Sequence, residues 1–148
     1  MKDKVRLIKE NELESLLSLY KYLIPNDLEL EVDNSVKGHW KDILSDPNLF
    51  YLVIEENGMI VSSCTLAIIK NMTRATRPYG IIENVITHPA YRKRGYGTAV
   101  LNKAVEICKE KNCYKVMLLT SRKDNHIFQF YENSGFNKDE KTGFIKRI

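Results

Sequence analysis

The stretch from Ile81 to Lys111, IIENVITHPAYRKRGYGTAVLNKAVEICKEK, changes its apolar period once, and that change constrains the fold more than any other feature. Its first part is β-branched and reads as a strand. Its last part opens a helix from about Gly97 to Lys111, with Val100, Leu101, Ala104, Val105 and Cys108 on one face. CYKVMLLTS follows as another strand, so the segment predicts a β-α-β unit with a parallel pair and a right-handed crossover. Between strand and helix lie Arg92, Lys93 and Arg94, then Gly95 and Gly97. A helix N-terminus presents amides without intrahelical acceptors and the positive end of the dipole, and glycine lets the backbone approach an anion closely. The spacing is neither G-x-x-x-x-G-K-[ST] nor G-x-G-x-x-G, which excludes the two commonest phosphate loops. On the triplet alone, an anion cradle and a surface loop with a capping glycine both remain open.

The rest of the chain supplies a frame for that unit. Val5 to Ile8 reads as a short strand, and Asn11 with Glu14 resembles a capping box opening a helix that Pro25 ends. A second helix is expected around Val36 to Leu44, stopping near Asp46-Pro47. LFYLVIEENGMIVSSCTLAII reads as two strands joined at Asn57-Gly58, the strongest short hairpin signal. NHIFQFYENSGF reads as a short helix and GFIKRI as a last strand. The order β-α-α-β-β-β-α-β-α-β predicts an α/β fold with one mixed sheet and helices on its faces, in a single domain over residues 1–148.

Composition excludes several function classes. The net charge of +4 is mild, and its densest run sits at one helix start, unlike a nucleic-acid-binding face with interleaved aromatics. Cys64, Cys108 and Cys113 are odd in number and form no C-x-x-C pair, which points to free thiols in a reducing cytoplasm. His39, His88 and His126 lie far apart, so no metal site is expected. No apolar run reaches membrane-spanning length.

Arg92-Lys93-Arg94-Gly95-Tyr96-Gly97 resembles the R/Q-x-x-G-x-G/A signature of the GNAT superfamily of N-acetyltransferases. IENVITHPAYRKRGYGTAVL resembles that family's strand-loop-helix core, and KDNHIFQFYENSGF its later N-x-x-x-x-x-Y-x-x-x-G-F helix. The set is also distantly similar to glucosamine-6-phosphate N-acetyltransferases. The resemblance implies a GNAT-type fold and acetyl-CoA as co-substrate, with no metal. It implies that Val85, Ile86 and Thr87 pair with the pantetheine arm. Arg92, Lys93, Arg94, Gly95, Tyr96, Gly97 and Thr98 would surround the pyrophosphate, and Asn125 would bond the cofactor. Many members carry glycine where this chain has Lys93.

For the chemistry, the resemblance points to Tyr131 as the general acid for the leaving thiolate. A half-buried core aromatic is the alternative, since Phe128, Phe130 and Phe136 cluster around it. Glu83 interrupts the apolar run IIENVI and is the candidate base or substrate-orienting group. A salt bridge to Arg74 or Arg77, or a solvated sheet face, are the alternatives. Arg74 and Arg77 are expected beside the acceptor, where Arg forks suit a carboxylate or phosphate. The leading expectation is acetyl transfer to a primary amine of a small molecule, such as an amino-sugar phosphate or another anionic amine, by direct attack in a ternary complex. A protein or peptide amine as acceptor, and a non-catalytic acyl-CoA sensor, are the competing readings. Partners would be acetyl-CoA and the amine, with no nucleic acid and no membrane, and a homodimer through GFIKRI is a further expectation.

Overall fold

The computed structural model describes Met1 and residues 4–148. Its elements are β1 (Arg6–Leu7), α1 (Leu13–Tyr20), α2 (Asn34–Ser45), β2 (Leu49–Glu56), β3 (Met59–Ile69), a one-turn α3 (Thr73–Thr76), β4 (Tyr79–Thr87), α4 (Tyr96–Glu110), β5 (Val116–Leu118) and α5 (Asn125–Asn133). The sheet runs β1-β2-β3-β4-β5; the first three pairings are antiparallel and β4–β5 is parallel. This is the expected mixed sheet, with the crossover helix α4 between the parallel strands.

The local reasons are those of the residues. Asn57 (φ 52°) and Gly58 (φ 81°) both lie in the left-handed region, as a tight two-residue hairpin between right-twisted strands requires. The box expected at Asn11 and Glu14 forms two residues earlier: Glu12 accepts from the Lys9 amide at 2.8 Å and pairs with Arg6 of β1. That ion pair competes successfully for the acidic side chain and ties the start of α1 to the sheet edge.

Each face of the sheet carries its own core. On one side Leu52, Ile54, Cys64, Leu66 and Ile82 meet Ala99, Val100, Leu101, Ala104 and Cys108 of α4. On the other, Val53, Ile60 and Ile86 meet Leu16 and Leu19 of α1 and Trp40 of α2. Each fully buried Leu or Ile is worth about 1.5–3 kcal/mol relative to exposure. Trp40 satisfies its indole N–H on the Glu10 carbonyl at 3.0 Å, so it is a core residue.

The expected last strand does not form. Residues 137–148 carry no regular structure, and Phe144 and Ile145 are exposed. A strand needs a partner edge; Gly143 comes close to Leu119, just past the end of β5, but no ladder forms from it.

Candidate active site

The site is built where β4 leaves its neighbours. β4 pairs with β5 only from Gly80 to Ile82, so beyond Ile82 the two strands diverge. On its other edge the register with β3 shifts between Ser63 and Thr65, and Asn84 takes a left-handed φ of 53°. This bulge bends β4 in the middle of the sheet. The edge of β4 from Glu83 to Thr87 is thereby left without a β5 partner, which suits an extended amide-bearing arm such as pantetheine. Val85, Ile86 and Thr87 lie on that stretch, as expected. Thr87 also bridges its hydroxyl to Ser62 at 2.8 Å.

The cradle follows directly. His88 accepts the Ala90 amide on Nδ1 at 3.1 Å and starts a single 3-10 turn, Pro89–Tyr91. Arg92 donates Nε to the Thr87 carbonyl, and Arg94 donates to the Ala90 carbonyl while its guanidinium covers the Tyr91 ring. Both cations are thus set by the loop around the start of α4. Lys93 takes a left-handed φ of 59°, which explains why glycine suits this position in the family pattern. The Ala99 amide bonds the Gly95 carbonyl at 3.0 Å; the amides before it, through Thr98, have no backbone acceptor among the described residues. An oxygen-rich dianion fits such a row of donors.

The two glycines do different jobs. Gly95, the residue before α4, has φ 81° and open space where a Cβ would go. Gly97 has no positive φ, and a Cβ there would sit 3.0 Å from Phe130 Cζ of α5. Its small size therefore serves close packing of α4 against α5, more than approach to the anion alone. Tyr96 turns its side chain inward: its hydroxyl donates to Glu56 at 2.6 Å, and Lys4 completes the group at 2.7 Å. This brace fastens the cradle to the β2–β3 hairpin and leaves the Tyr96 backbone as its only contribution to an anion.

Glu83 is exposed and has no ion pair among the described residues. The salt bridge to Arg74 or Arg77 is absent for a geometric reason. Arg77 donates to the carbonyls of Asn112 and Cys113 at 3.1 and 2.9 Å, and Arg74 lies over the Tyr114 ring. Both belong to the far end of the sheet, where they meet the turn after α4. Five residues lie between Arg77 and Glu83, so the two are about 20 Å apart along the extended chain. The structure does not bring Arg74 and Arg77 to Glu83, and the salt bridge weighed as an alternative for Glu83 does not form.

Tyr131 does approach. It sits on α5, half-buried against Phe130 and Phe136. Burial raises its pKa, with Cys64 and the Glu83 carboxylate adding to the rise and Arg122 opposing it. The phenol is therefore held protonated and within electrostatic reach of Glu83, across the opening between β4 and β5. Asn125, the first residue of α5, is exposed, and Arg122, whose charge Tyr131 feels, is anchored on Asp124 at 2.8 Å. Sequence reasoning missed the Tyr96–Glu56 brace and the buried hydroxyls of Tyr20, Ser63 and Thr65, because each depends on neighbours remote in the chain, and it missed Arg122, which belongs to no motif and is set by its near neighbour Asp124. Two surface grooves on the α1 side, of ≈ 320 and ≈ 570 Å³, contain none of the cradle residues, Glu83 or Tyr131.

Comparison with known proteins agrees with this geometry. Over 87 residues the chain is 40% identical to a glucosamine 6-phosphate N-acetyltransferase of Trypanosoma brucei brucei, a match covering 59% of this chain and 57% of the relative. The chain thus spans little more than half the length of that relative. A putative acetyltransferase from Agrobacterium tumefaciens str. C58 superposes with a TM-score of 0.91 at 44% identity, covering 97% of this chain and 99% of that one. An aminoglycoside N-acetyltransferase, AAC(6')-Iy, solved in complex with CoA, shares the fold at a TM-score of 0.75 and 17% identity, with 97% and 98% covered. Residues 11–136 match the model of the acetyltransferase (GNAT) family, and the chain belongs to that family.

Proposed function

We propose that this single domain is an acetyl-CoA-dependent N-acetyltransferase acting on a primary amine of a small molecule. The observation that carries the reading is an exposed Glu83 at the β4 bulge, without an ion pair among the described residues, with a protonated Tyr131 within electrostatic reach of it. The amides at the start of α4 hold the pyrophosphate, with Arg92, Lys93 and Arg94 around it and Asn125 at the opposite wall. The unpaired edge at Val85 to Thr87 orients the pantetheine arm. Glu83 then accepts a proton from the acceptor's ammonium, leaving a lone pair for attack on the thioester carbonyl. As the C–S bond breaks, the Tyr131 hydroxyl gives its proton to the departing sulfur, and the proton shed by the new amide nitrogen restores the phenol. Positioned acid–base groups of this kind contribute about 10²–10⁴-fold.

The preferred acceptor class is an amino-sugar phosphate or similar anionic amine, supported by the likeness to the trypanosomal enzyme. Arg122, anchored beside Tyr131, is the cation best placed to meet its charge. We further propose a homodimer that uses the exposed C-terminal segment around Phe144 and Ile145, which leaves apolar surface and an unpaired β5 edge in one copy. Sedimentation velocity tests this: a monomer at micromolar concentration refutes it. Free Cys64, Cys108 and Cys113 suit a reducing cytoplasm.

The function is tested by a thiol-release assay with acetyl-CoA over a panel of amines, including glucosamine 6-phosphate. Tyr131→Phe is expected to lower kcat by about 10²-fold while acetyl-CoA affinity holds. Full turnover by that variant would remove Tyr131 from the chemistry.

A further inference from the structure

Three buried hydroxyls lie behind Glu83 without protein partners. Tyr20 Oη, Ser63 Oγ and Thr65 Oγ1 are each shielded from solvent, and none has a hydrogen bond. Ser63 and Thr65 are two residues apart on β3 and so point to the same face, the one covered by α1. Tyr20 is the last residue of α1 and brings its hydroxyl between them. Burial pushes the Tyr20 phenol up to about 12, while the Thr65 and Ser63 hydroxyls pull the other way. The three hydroxyls are therefore neighbours, yet none meets the geometry of a direct hydrogen bond.

Buried polar groups are almost always satisfied, because each unpaired one forfeits its hydration. Three converging hydroxyls that do not reach each other match a water site: a buried water typically makes about three hydrogen bonds. The register adds direction. Thr65 pairs with Glu83 and Ser63 with Ile86, so Thr65 and Glu83 present side chains on one face, with Cβ atoms about 5 Å apart. The bulge lies between these two pairs, where the strands part. A water held by the three hydroxyls would have the cross-strand neighbour of Thr65, Glu83, as the acceptor for its remaining bond.

We propose that Tyr20, Ser63 and Thr65 hold an ordered water that hydrogen-bonds the Glu83 carboxylate and positions it for the acceptor amine. The three are positioning residues: they act through Glu83 and touch neither acetyl group nor sulfur. The inference rests on the reading of Glu83 given above.

A crystal structure resolving ordered solvent tests the site itself. The expected result is one water within hydrogen-bonding distance of all three hydroxyls and of a Glu83 oxygen, lost in Tyr20→Phe. Direct hydroxyl–hydroxyl bonds with no water, or a water turned away from Glu83, would overturn it. Kinetics with glucosamine 6-phosphate at saturating acetyl-CoA provide the second arm. Thr65→Val should lower kcat about tenfold, the worth of a hydrogen bond to a charged group, with acetyl-CoA affinity unchanged. Thr65→Ser, which keeps the hydroxyl, should restore most of the rate, and neither change should matter in a Glu83→Gln background. Equal losses in Thr65→Ser and Thr65→Val would mark a packing role and refute the proposal. If the water is present but Glu83→Gln turns over normally, the base assignment fails and the water site stands.

Discussion

Replacing Gly97 by alanine separates packing from anion binding, since the structure assigns this glycine chiefly to the first. The new methyl would lie 3.0 Å from Phe130 Cζ, 3.3 Å from Cε2 and 3.6 Å from Thr87 Oγ1. The first two contacts are too short for carbon, so the ring edge must yield by a few tenths of an ångström or α4 and α5 must part. Overpacking of this kind costs about 1–3 kcal/mol, and the low end applies where a ring edge rather than backbone is struck. A loss of about 1 kcal/mol lowers Tm by about 3 °C in a chain of this length. Tyr131 follows Phe130 on α5, so the same displacement shifts the phenol and should lower kcat about fivefold; misplacement by 1 Å can cost about 10²-fold. Gly95→Ala is the contrasting change. It meets no atom but forces alanine to φ 81°, at about 1–2 kcal/mol, and should weaken acetyl-CoA binding more than turnover. Thermal unfolding, calorimetric titration of acetyl-CoA and initial rates read these effects separately. Adding Phe130→Leu to Gly97→Ala should recover the lost Tm by vacating the ring edge. If Gly97→Ala weakens only acetyl-CoA binding, and Phe130→Leu recovers nothing, the packing account is wrong.

Three further outcomes follow from the same coordinates. Lys93→Gly removes a non-glycine residue from φ 59° and should stabilise the fold by up to about 1 kcal/mol, partly offset by a more flexible unfolded chain; chemical denaturation measures it. The Arg6 guanidinium holds the Glu12 carboxyl below its ordinary value, so this pair stabilises above the unfolded carboxylate pKa and loses its contribution as pH falls through the lowered folded value. Glu12→Gln should therefore flatten the acid side of the stability–pH curve, by about 0.5–1 kcal/mol for a partly exposed pair. Burial pushes the Cys64 and Cys108 thiols up to about 12, whereas Cys113 is partly exposed and rises less. Maleimide labelling of the native protein, followed by peptide mapping, should modify Cys113 first and leave Cys64 unmodified.

The legible parts of this protein are those whose information is local. Asn57-Gly58 demands a hairpin, the period change after Thr87 demands a strand-to-helix turn, and Gly95 at the start of α4 demands a left-handed residue. The cradle and the position of Tyr131 on α5 are read from such signals together with the family pattern. Arg74 and Arg77 show the limit. They stand in sequence just before the Glu83 strand, yet extension of β4 carries Glu83 about 20 Å away, and carbonyls after α4 claim Arg77. GFIKRI shows another: its composition suits a strand, but strand formation depends on an available edge.

The residues by themselves determined the order of elements through α5, the glycine-flanked start of α4, and the candidates Glu83 and Tyr131. The tertiary structure decided their surroundings. The β4 bulge and the end of β5 leave Glu83 without a strand partner on that side, Tyr131 lies within electrostatic reach of it, and the absent Cβ of Gly97 leaves room for the Phe130 ring of α5. The hydroxyls of Tyr20, Ser63 and Thr65 converge only because α1 lies on β3. Periodicity and turn chemistry act between neighbours in the chain, whereas register and helix packing set contacts between residues far apart in the chain, which no local pattern encodes.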